Sequence, residues 1–289
     1  MTNRNKKIRI SAVQMDCSLG QTKANADKML AMAQRALKDE GAELVVFPEL
    51  SLTGYDNRQG FDHLTTDLDD PVFHELRTLS HDVGLMIGLV EETPGSLANY
   101  NSYGFLYQGE FRTVARKIYP PTYAVFEEQK YFGKGRRLVS AEFKDFVMAP
   151  VICNDLWHPV ISYLYHLMGA EVVVVPATSS TTHNTEVWPS HDDVWAALLQ
   201  YNALVYGSFV VFANRVGSEA GLTFWGGSRI ISPMGRVLAE APLYEEAIVT
   251  AEIDAGLIRS ARKYRPYHRD EDPRFARRQL ERIIAEYEY

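Results

Sequence analysis

The sequence predicts an α/β fold of two packed sheets with helices outside them, on three observations. Apolar residues alternate with period two in several short runs and recur at helical spacing in others. The two kinds of segment follow one another along the chain, with extra antiparallel pairs. About a dozen strands are expected, which is unusually wide for one open twisted sheet and suits two sheets packed face to face. No Pro/Ser/Gly-rich linker divides the chain and no repeat of about 20–50 residues runs along it, so residues 1–289 are expected to form one domain.

Taken in order, residues 8–14 alternate and read as a first strand. Residues 22–39 carry Ala26, Met29, Leu30, Ala33 and Leu37 at helical spacing, and 44–47 are the next strand. A helix near 72–81 leads into a strand at 84–90, followed by a hairpin over 101–117 that turns at Gln108-Gly109. A further apolar strand runs into Cys153. Beyond it the pattern predicts a short helix at 161–168, a strand at 172–175 and a long helix at 194–206, then strands at 209–213, 228–231 and 248–253.

Bulk composition narrows the function. With 46% hydrophobic and 23% charged residues the chain is an ordinary globular one, and a net charge of −7 does not point to a polyanionic partner. Residues 259–289 gather basic groups from Arg259 to Arg282, but Asp270, Glu271, Asp272, Glu281, Glu286 and Glu288 are interleaved with them. Mixed signs weaken the phosphate attraction that nucleic-acid binding needs. This stretch reads as a salt-bridged tail that packs on a second subunit. The two cysteines, Cys17 and Cys153, lie far apart and outside any Cys-x-x-Cys spacing, which favours a reducing compartment over a disulfide framework. Arg4, Lys6 and Lys7 precede a stretch interrupted by Arg9, Gln14 and Asp16, so neither a signal peptide nor a membrane span is expected and the location is read as cytoplasmic. His183, His191, Asp192 and Asp193 are the local cluster that comes nearest to a metal site. They lack a His-x-x-x-His pair, are explained by capping or surface duty at a helix that starts near Asp192, and leave no metal or cofactor expected.

Three apolar segments end on chemistry-bearing side chains: 44–48 on Glu49, 111–116 on Lys117 and 146–152 on Cys153. A lone buried cysteine is usually a small hydrophobe, and a lone strand-end Lys or Glu is usually solvated. Together they deliver a carboxylate, an ammonium and a thiol to strand ends, where an α/β sheet presents its reacting groups. Cys17 has no acid, base or charge predicted beside it and reads as structural.

These stretches, with several others, resemble the nitrilase superfamily of carbon-nitrogen hydrolases from about Ile8 to about Arg278. The matching blocks are Val45-Val-Phe-Pro-Glu-Leu-Ser-Leu-Thr-Gly-Tyr55, Asn99-Tyr-Asn-Ser102, Arg116-Lys117, Cys153-Asn-Asp-Leu-Trp157, Gly169-Ala-Glu-Val-Val-Val-Val-Pro176 and Val211-Phe-Ala-Asn-Arg-Val-Gly217. The resemblance implies a four-layer α-β-β-α sandwich that pairs through an outer helical layer. It also implies Cys153 as nucleophile, Glu49 as general base, Lys117 as the cation on the oxyanion and the Asn154 backbone N–H as its second donor. A second acid is expected between Lys117 and Cys153; Glu127 and Glu128 both compete, and the family pattern over Phe126-Glu-Glu-Gln-Lys-Tyr-Phe132 favours Glu128.

The chemistry suits attack on an amide. A thiol near pKa 8.5 is a few per cent ionised at neutral pH, so it needs an ammonium that favours the thiolate or a base that takes the proton during attack. The leaving amine then needs that proton back.

Departures from the family patterns bear on the substrate. Cys153-Asn154-Asp155 differs from the Cys-Trp-Glu of true nitrilases, which puts amides ahead of nitriles. Many small-amidase relatives carry an arginine soon after the cysteine, where this chain has Trp157-His158-Pro159. Asp155-Leu156-Trp157 and residues 119–128 are similar to the glutaminase domain of glutamine-dependent NAD synthetases, with Tyr55 and Tyr123 at pocket-tyrosine positions and Ser180 at a substrate-contacting serine. Those domains place an arginine for the glutamine carboxylate where residues 181–190 hold neither Arg nor Lys. No Gly-x-x-x-x-Gly-Lys-Ser/Thr loop for ATP is present either. The expectation is a stand-alone amidase for a small neutral or apolar amide, with Tyr55, Tyr123, Trp157 and Ser180 touching the substrate. Hydrolysis of N-carbamoyl amines is the alternative, with Asp155, Glu127 or Glu186 available for an amine tail. A catalytically silent binding protein on the same fold is the third reading.

Overall fold

The computed structural model describes residues 6–56, 66–93, 98–123, 126–181 and 190–287. The first half of the chain contributes β1 (Lys7–Gln14), α1 (Thr22–Glu40), β2 (Leu44–Val46), α2 (His74–Leu79), β3 (Gly84–Glu92), β4 (Asn99–Tyr107) and β5 (Glu110–Arg116). The second contributes β6 (Ala141–Phe143), β7 (Phe146–Pro150), α3 (Pro159–Leu167), β8 (Val172–Ala177), β9 (Ser180–Thr181), α4 (His191–Tyr206), β10 (Phe209–Asn214), β11 (Val216–Glu219), β12 (Leu222–Trp225), β13 (Arg229–Ile231), β14 (Val237–Glu240), β15 (Ala247–Asp254), α5 (Ala255–Tyr264) and α6 (Pro273–Glu286).

Two mixed sheets result, one ordered β15-β1-β2-β3-β4-β5 and the other β14-β13-β10-β8-β7-β6, beside a small sheet β11-β12-β9. Strand periodicity of two decides what lies between them. Ile8, Ile10, Leu44, Val46 and Phe105 of the first sheet share one buried core with Phe146, Met148, Val172, Val174, Phe209 and Val211 of the second. The alternate residues face outward. Val13, Val45, Leu85 and Ile87 pack under Met29, Ala33 and Ala36 of α1 and Leu76 and Leu79 of α2. Val173, Val175, Val210 and Phe212 pack under Tyr165 of α3 and Trp195, Leu199 and Ala203 of α4. The layers are therefore α-β-β-α, as the sequence led us to expect.

Local signals explain most boundaries. Gln108 and Gly109 both take positive φ, at 54° and 80°, the conformation that closes a two-residue hairpin between β4 and β5. Helix α4 begins three residues before its apolar period because the Ser190 side chain caps it, accepting the Asp193 N–H. Asp192, expected to cap, instead pairs with Arg229, while His183 lies outside the described residues. The charged tail folds into part of α5 and all of α6, with ion pairs such as Arg277 to Glu281 and Arg282 to Glu286 one turn apart. No helix among the described residues is long and apolar enough to cross a membrane.

One close approach sets the end of the first sheet. The pairing of β2 with β3 continues through Phe47 N–H to Met86 O and resumes at Leu52 N–H to Gly88 O, so residues 48–51 arch over Gly88. A Cβ on Gly88 would lie 2.2 Å from the Leu50 nitrogen and 2.6 Å from the Pro48 oxygen, which no backbone tolerates. Gly88→Ala is expected to cost about 3 kcal/mol or more in urea unfolding, at the upper end of overpacking, and to displace Glu49.

Candidate active site

The arch over Gly88 places Glu49 at one end of the sandwich, and five other side chains gather there. The first sheet supplies Glu49 after β2, Asn101 in β4 and Lys117 directly after β5, whose N–H donates to Asn101 O across the pair at 2.9 Å. The second sheet supplies Cys153 after β7 and Thr178 after β8. Glu128 arrives on a short 3-10 turn over Glu128–Lys130. Of the two candidate acids, Glu127 faces outward and pairs with Lys130, whereas Glu128 is buried in the cluster.

Lys117 is buried to 1% exposure and donates to Glu49 Oε1 at 2.7 Å and to Glu128 Oε1 at 2.8 Å. Asn101 Nδ2 also donates to Glu49 Oε1, at 2.8 Å. Glu49 Oε2 accepts from the Thr178 N–H at 2.9 Å and the Thr178 hydroxyl at 2.7 Å. Both oxygens of the Glu49 carboxylate are thus hydrogen-bonded. Tyr55 donates its hydroxyl to Glu128 Oε1 at 2.9 Å.

The protonation pattern follows from burial set against these partners. Burial acts to raise Glu49, but the Lys117 charge and the hydrogen bonds from Lys117, Thr178 and Asn101 outweigh it and hold the carboxyl below its ordinary value. For Glu128, burial and the Glu49 charge prevail over Lys117 and Tyr55, and its pKa is pushed up to about 7. Burial works against the Lys117 charge, yet the two carboxylates raise its pKa well above the usual range. Cys153 touches the pocket on one side and dense protein on the others. Burial first, then the negative charge of Glu49, raises its thiol well above an ordinary cysteine, with Lys117 pulling the other way.

Cys153 itself adopts φ +47°, a strained conformation for a side-chain-bearing residue, at the turn from β7 into a 3-10 helix over Cys153–Trp157. In the first turn of that helix the Asn154 N–H donates to no group among the described residues. The Asn154 side chain bridges two others, donating to Tyr119 O at 2.8 Å and accepting the Tyr123 hydroxyl at 2.8 Å. Asp155 faces away from the pocket. It accepts the N–H groups of Ile118 and Tyr119, so it ties the chain after Lys117 to the turn that carries Cys153, and burial lifts its pKa to about 6.

A cavity of about 280 Å³ opens on Cys153 and Glu128. Its walls include Tyr123, Phe126, Trp157, Ser180 and Trp195. Trp157 stands edge-on to Trp195 with ring centres 5.7 Å apart. Ser180 is 2% exposed, and its hydroxyl has no partner among the described residues. Tyr55 sits behind Glu128, packed edge-on to Phe126 and Phe224, and is not among the lining residues. Of the three acids considered for an amine tail, Asp155 and Glu127 are committed elsewhere and Glu186 lies outside the described residues. Sequence reasoning missed Asn101 and Thr178. Both stand in recognised blocks or at a strand end, which was the available signal.

The family model for carbon-nitrogen hydrolases matches residues 9–263. The chain belongs to this family. The nitrilase-superfamily likeness read from the sequence is borne out. It is 28% identical over 252 residues to a glutamine-dependent NAD(+) synthetase of Thermotoga maritima, a match covering 86% of this chain and 42% of that protein. The chain thus spans less than half the length of the synthetases it matches. An N-carbamoylputrescine amidase of Solanum tuberosum is 26% identical over 294 residues, covering 94% of this chain and 95% of the other. Among solved structures, the carbon-nitrogen hydrolase from Helicobacter pylori G27 shares the fold with a TM-score of 0.84 at 24% identity, over 95% of this chain and 98% of that one.

Two substitutions probe the cluster. Glu128→Gln removes a negative charge that raises the Cys153 thiol, so the pH midpoint of iodoacetamide alkylation at Cys153, followed by peptide mass spectrometry, should move down. Lys117→Met leaves Glu49 buried without its cation and should lower folding stability by about 3–5 kcal/mol in urea.

Proposed function

We propose that this carbon-nitrogen hydrolase converts a small neutral amide to a carboxylic acid and ammonia through a thioester on Cys153. The observation that carries the reading is that Cys153 and Glu128 line a largely apolar pocket, with Lys117 bridging Glu128 to Glu49 behind them. Its raised pKa keeps the thiol protonated at rest, which favours proton removal during attack over a preformed thiolate.

In this mechanism the Cys153 sulfur bonds to the amide carbon as its proton passes to Glu49. The carbonyl oxygen becomes an oxyanion held by Lys117 Nζ and the Asn154 N–H. The intermediate collapses, the C–N bond breaks, and Glu49 returns the proton to the departing ammonia. Glu49 then takes a proton from water as the water oxygen attacks the thioester, and the second collapse breaks the C–S bond and releases the acid while Glu49 returns that proton to the Cys153 sulfur. Glu128 fixes Lys117 from the far side. Tyr123, Trp157 and Ser180 contact the acyl group, with the Ser180 hydroxyl supplying a hydrogen bond to a polar atom of the substrate.

The neutral substrate is supported by the lining. A glutamine carboxylate needs a cation, and an alkylamine needs an acid; among the described lining residues there is no Lys or Arg, the acid is Glu128, itself paired with Lys117, and one imidazole, His191, stands at the wall. The full-length match to a plant N-carbamoylputrescine amidase favours a second reading, in which an N-carbamoyl amine is cleaved to amine, carbon dioxide and ammonia. A cytoplasmic location and pairing with a second copy complete the proposal. Pairing is supported by α6, which buries none of its side chains and leaves Phe275, Leu280 and Ile284 exposed.

Ammonia release from aliphatic and aromatic amides, glutamine and N-carbamoyl amines, with Cys153→Ala as the blank, tests the reading. Release from neutral amides alone, lost in Cys153→Ala, is the expected result. Release from carbamoyl amines alone replaces it with the second reading, and full activity in Cys153→Ala removes the thioester. Sedimentation at micromolar concentration checks the pairing, which a monomer overturns.

A further inference from the structure

A second buried ion pair lies behind the active-site cluster. Arg215, 1% exposed, follows β10 and donates to Glu219 Oε2 at 2.8 Å, to Asp16 Oδ1 at 3.1 Å and to Cys17 O at 2.8 Å. Its guanidinium lies 4.1 Å from the centre of the Phe224 ring. The other oxygen of Glu219 accepts the Tyr55 N–H at 2.9 Å and also the Asp56 N–H. Space around this carboxylate is tight, since a Cβ on Gly54 would come within 2.8 Å of Glu219 Oε2. Glu219 closes β11 at a hairpin turn where Ala220 and Gly221 take positive φ, and β12 beyond the turn carries Phe224, which packs on Tyr55. None of these groups reaches the pocket, and the mechanism above does not use them.

We infer that Glu219, held by Arg215, is a positioning residue: it fixes the main chain at Tyr55 and Asp56 and so keeps the Tyr55 hydroxyl on Glu128. The ends of the relay are the arginine-bound carboxylate at the rear and the lysine-bound carboxylate in the site, with one tyrosine between them. The inference rests on the assignment of Glu128 to the active site. Two main-chain donors on one buried carboxylate oxygen define the position of a short segment far better than side-chain packing does. The tyrosine ring, wedged between Phe126 and Phe224, then has little freedom except to point its hydroxyl at Glu128.

The consequence is a controlled proton affinity. Glu128 is faced by Lys117 and by the Tyr55 hydroxyl, which favour its charged form, and by Glu49 and burial, which oppose it; Cys153 and Tyr123 lie close by. Asn101 Nδ2 is 3.4 Å from its other oxygen. Glu219 is faced by Arg215, with Asp16 and Cys17 beyond. Loss of the Tyr55 hydrogen bond raises the pH at which Glu128 ionises, because that bond stabilises the carboxylate.

The test is the Glu128 titration midpoint, read by carboxyl-carbon NMR of glutamate-labelled protein with Glu128→Gln for assignment. Tyr55→Phe and Glu219→Ala should each raise the midpoint by about one pH unit, the size of one hydrogen bond to a charged group. The double variant should rise no further than Tyr55→Phe. Glu219→Gln keeps an oxygen for the two N–H groups and should return the midpoint to wild type. A wild-type midpoint in Glu219→Ala, or a double variant showing the sum of the two shifts, overturns the inference. If Glu219→Ala does not fold, Arg215→Met with Glu219→Leu removes both charges, and a wild-type midpoint there overturns it equally. Amide hydrolysis measured alongside separates the two ideas: a wild-type midpoint in an enzyme that still depends on Cys153 removes the positioning role alone, whereas a shifted midpoint with activity independent of Cys153 removes the proposed reaction alone.

Discussion

The ammonium of Lys117, buried with carboxylates on both sides, is the interaction on which this structure depends. An isolated charge at that depth costs several kcal/mol in lost hydration, and attraction offsets this only when every remaining donor and acceptor is satisfied. Lys117 answers to Glu49 and Glu128, and Glu49 answers in turn to Asn101 and Thr178. Because those partners come from both sheets and from the 3-10 turn of Glu128, the cluster ties the two halves of the sandwich together at one end. A chain that packed its inter-sheet core but left this end disordered would lose the hydrogen bonds that make the charges tolerable.

Such a cluster needs the backbone to depart from regular strand geometry in defined places. Leu50 at φ +48° and Cys153 at φ +47° sit at the ends of β2 and β7, one in each sheet. Each is a short turn that lifts a functional side chain off the strand while the strand below stays in register. Gly88 makes room for the first turn, and Asp155 ties the second to the chain after Lys117. Positive φ at side-chain-bearing residues costs on the order of 1–3 kcal/mol each and persists only where the surroundings over-determine it. Here the surroundings are the close packing on Gly88 for the first turn and the Asp155 hydrogen bonds for the second.

Much of this was legible in the sequence, for reasons that differ by residue. Glu49, Lys117 and Cys153 stood out because apolar strands cannot ordinarily end on such groups three times over without a common use. Choosing Glu128 over Glu127 needed a family pattern, and the structure places Glu128 among the charges and Glu127 in solvent with Lys130. Asn101 and Thr178 were passed over because an amide or hydroxyl carries no periodic signal of its own. The small sheet of β9, β11 and β12 escaped notice because its strands are short and its hairpin turn is Ala220-Gly221 rather than a strong turn pair. Helix α6 was read as a tail because charge dominates its composition; its apolar residues Phe275, Ala276, Leu280, Ile283 and Ile284 mark one side only once the helix is drawn. Arg215 illustrates the harder limit. It lay within a recognised block, but its partner Asp16 is 199 positions away in sequence, and no local pattern reports such a contact.

The two buried cations play different parts, and the difference follows from what their carboxylates have left to do. Arg215 presents a fixed fork to Glu219, Asp16 and Cys17 O, and remains charged at any pH the fold survives. Its carboxylate partner spends its second oxygen on main-chain N–H groups, so nothing in that pair is free to move a proton. Lys117 is a point charge between two carboxylates, one held below and one raised above their ordinary range. That asymmetry between two carboxylates on one ammonium lies on the pocket side of Tyr55. The pair at the rear holds main chain at Tyr55 and Asp56, and the uneven pair in front stands beside the pocket thiol.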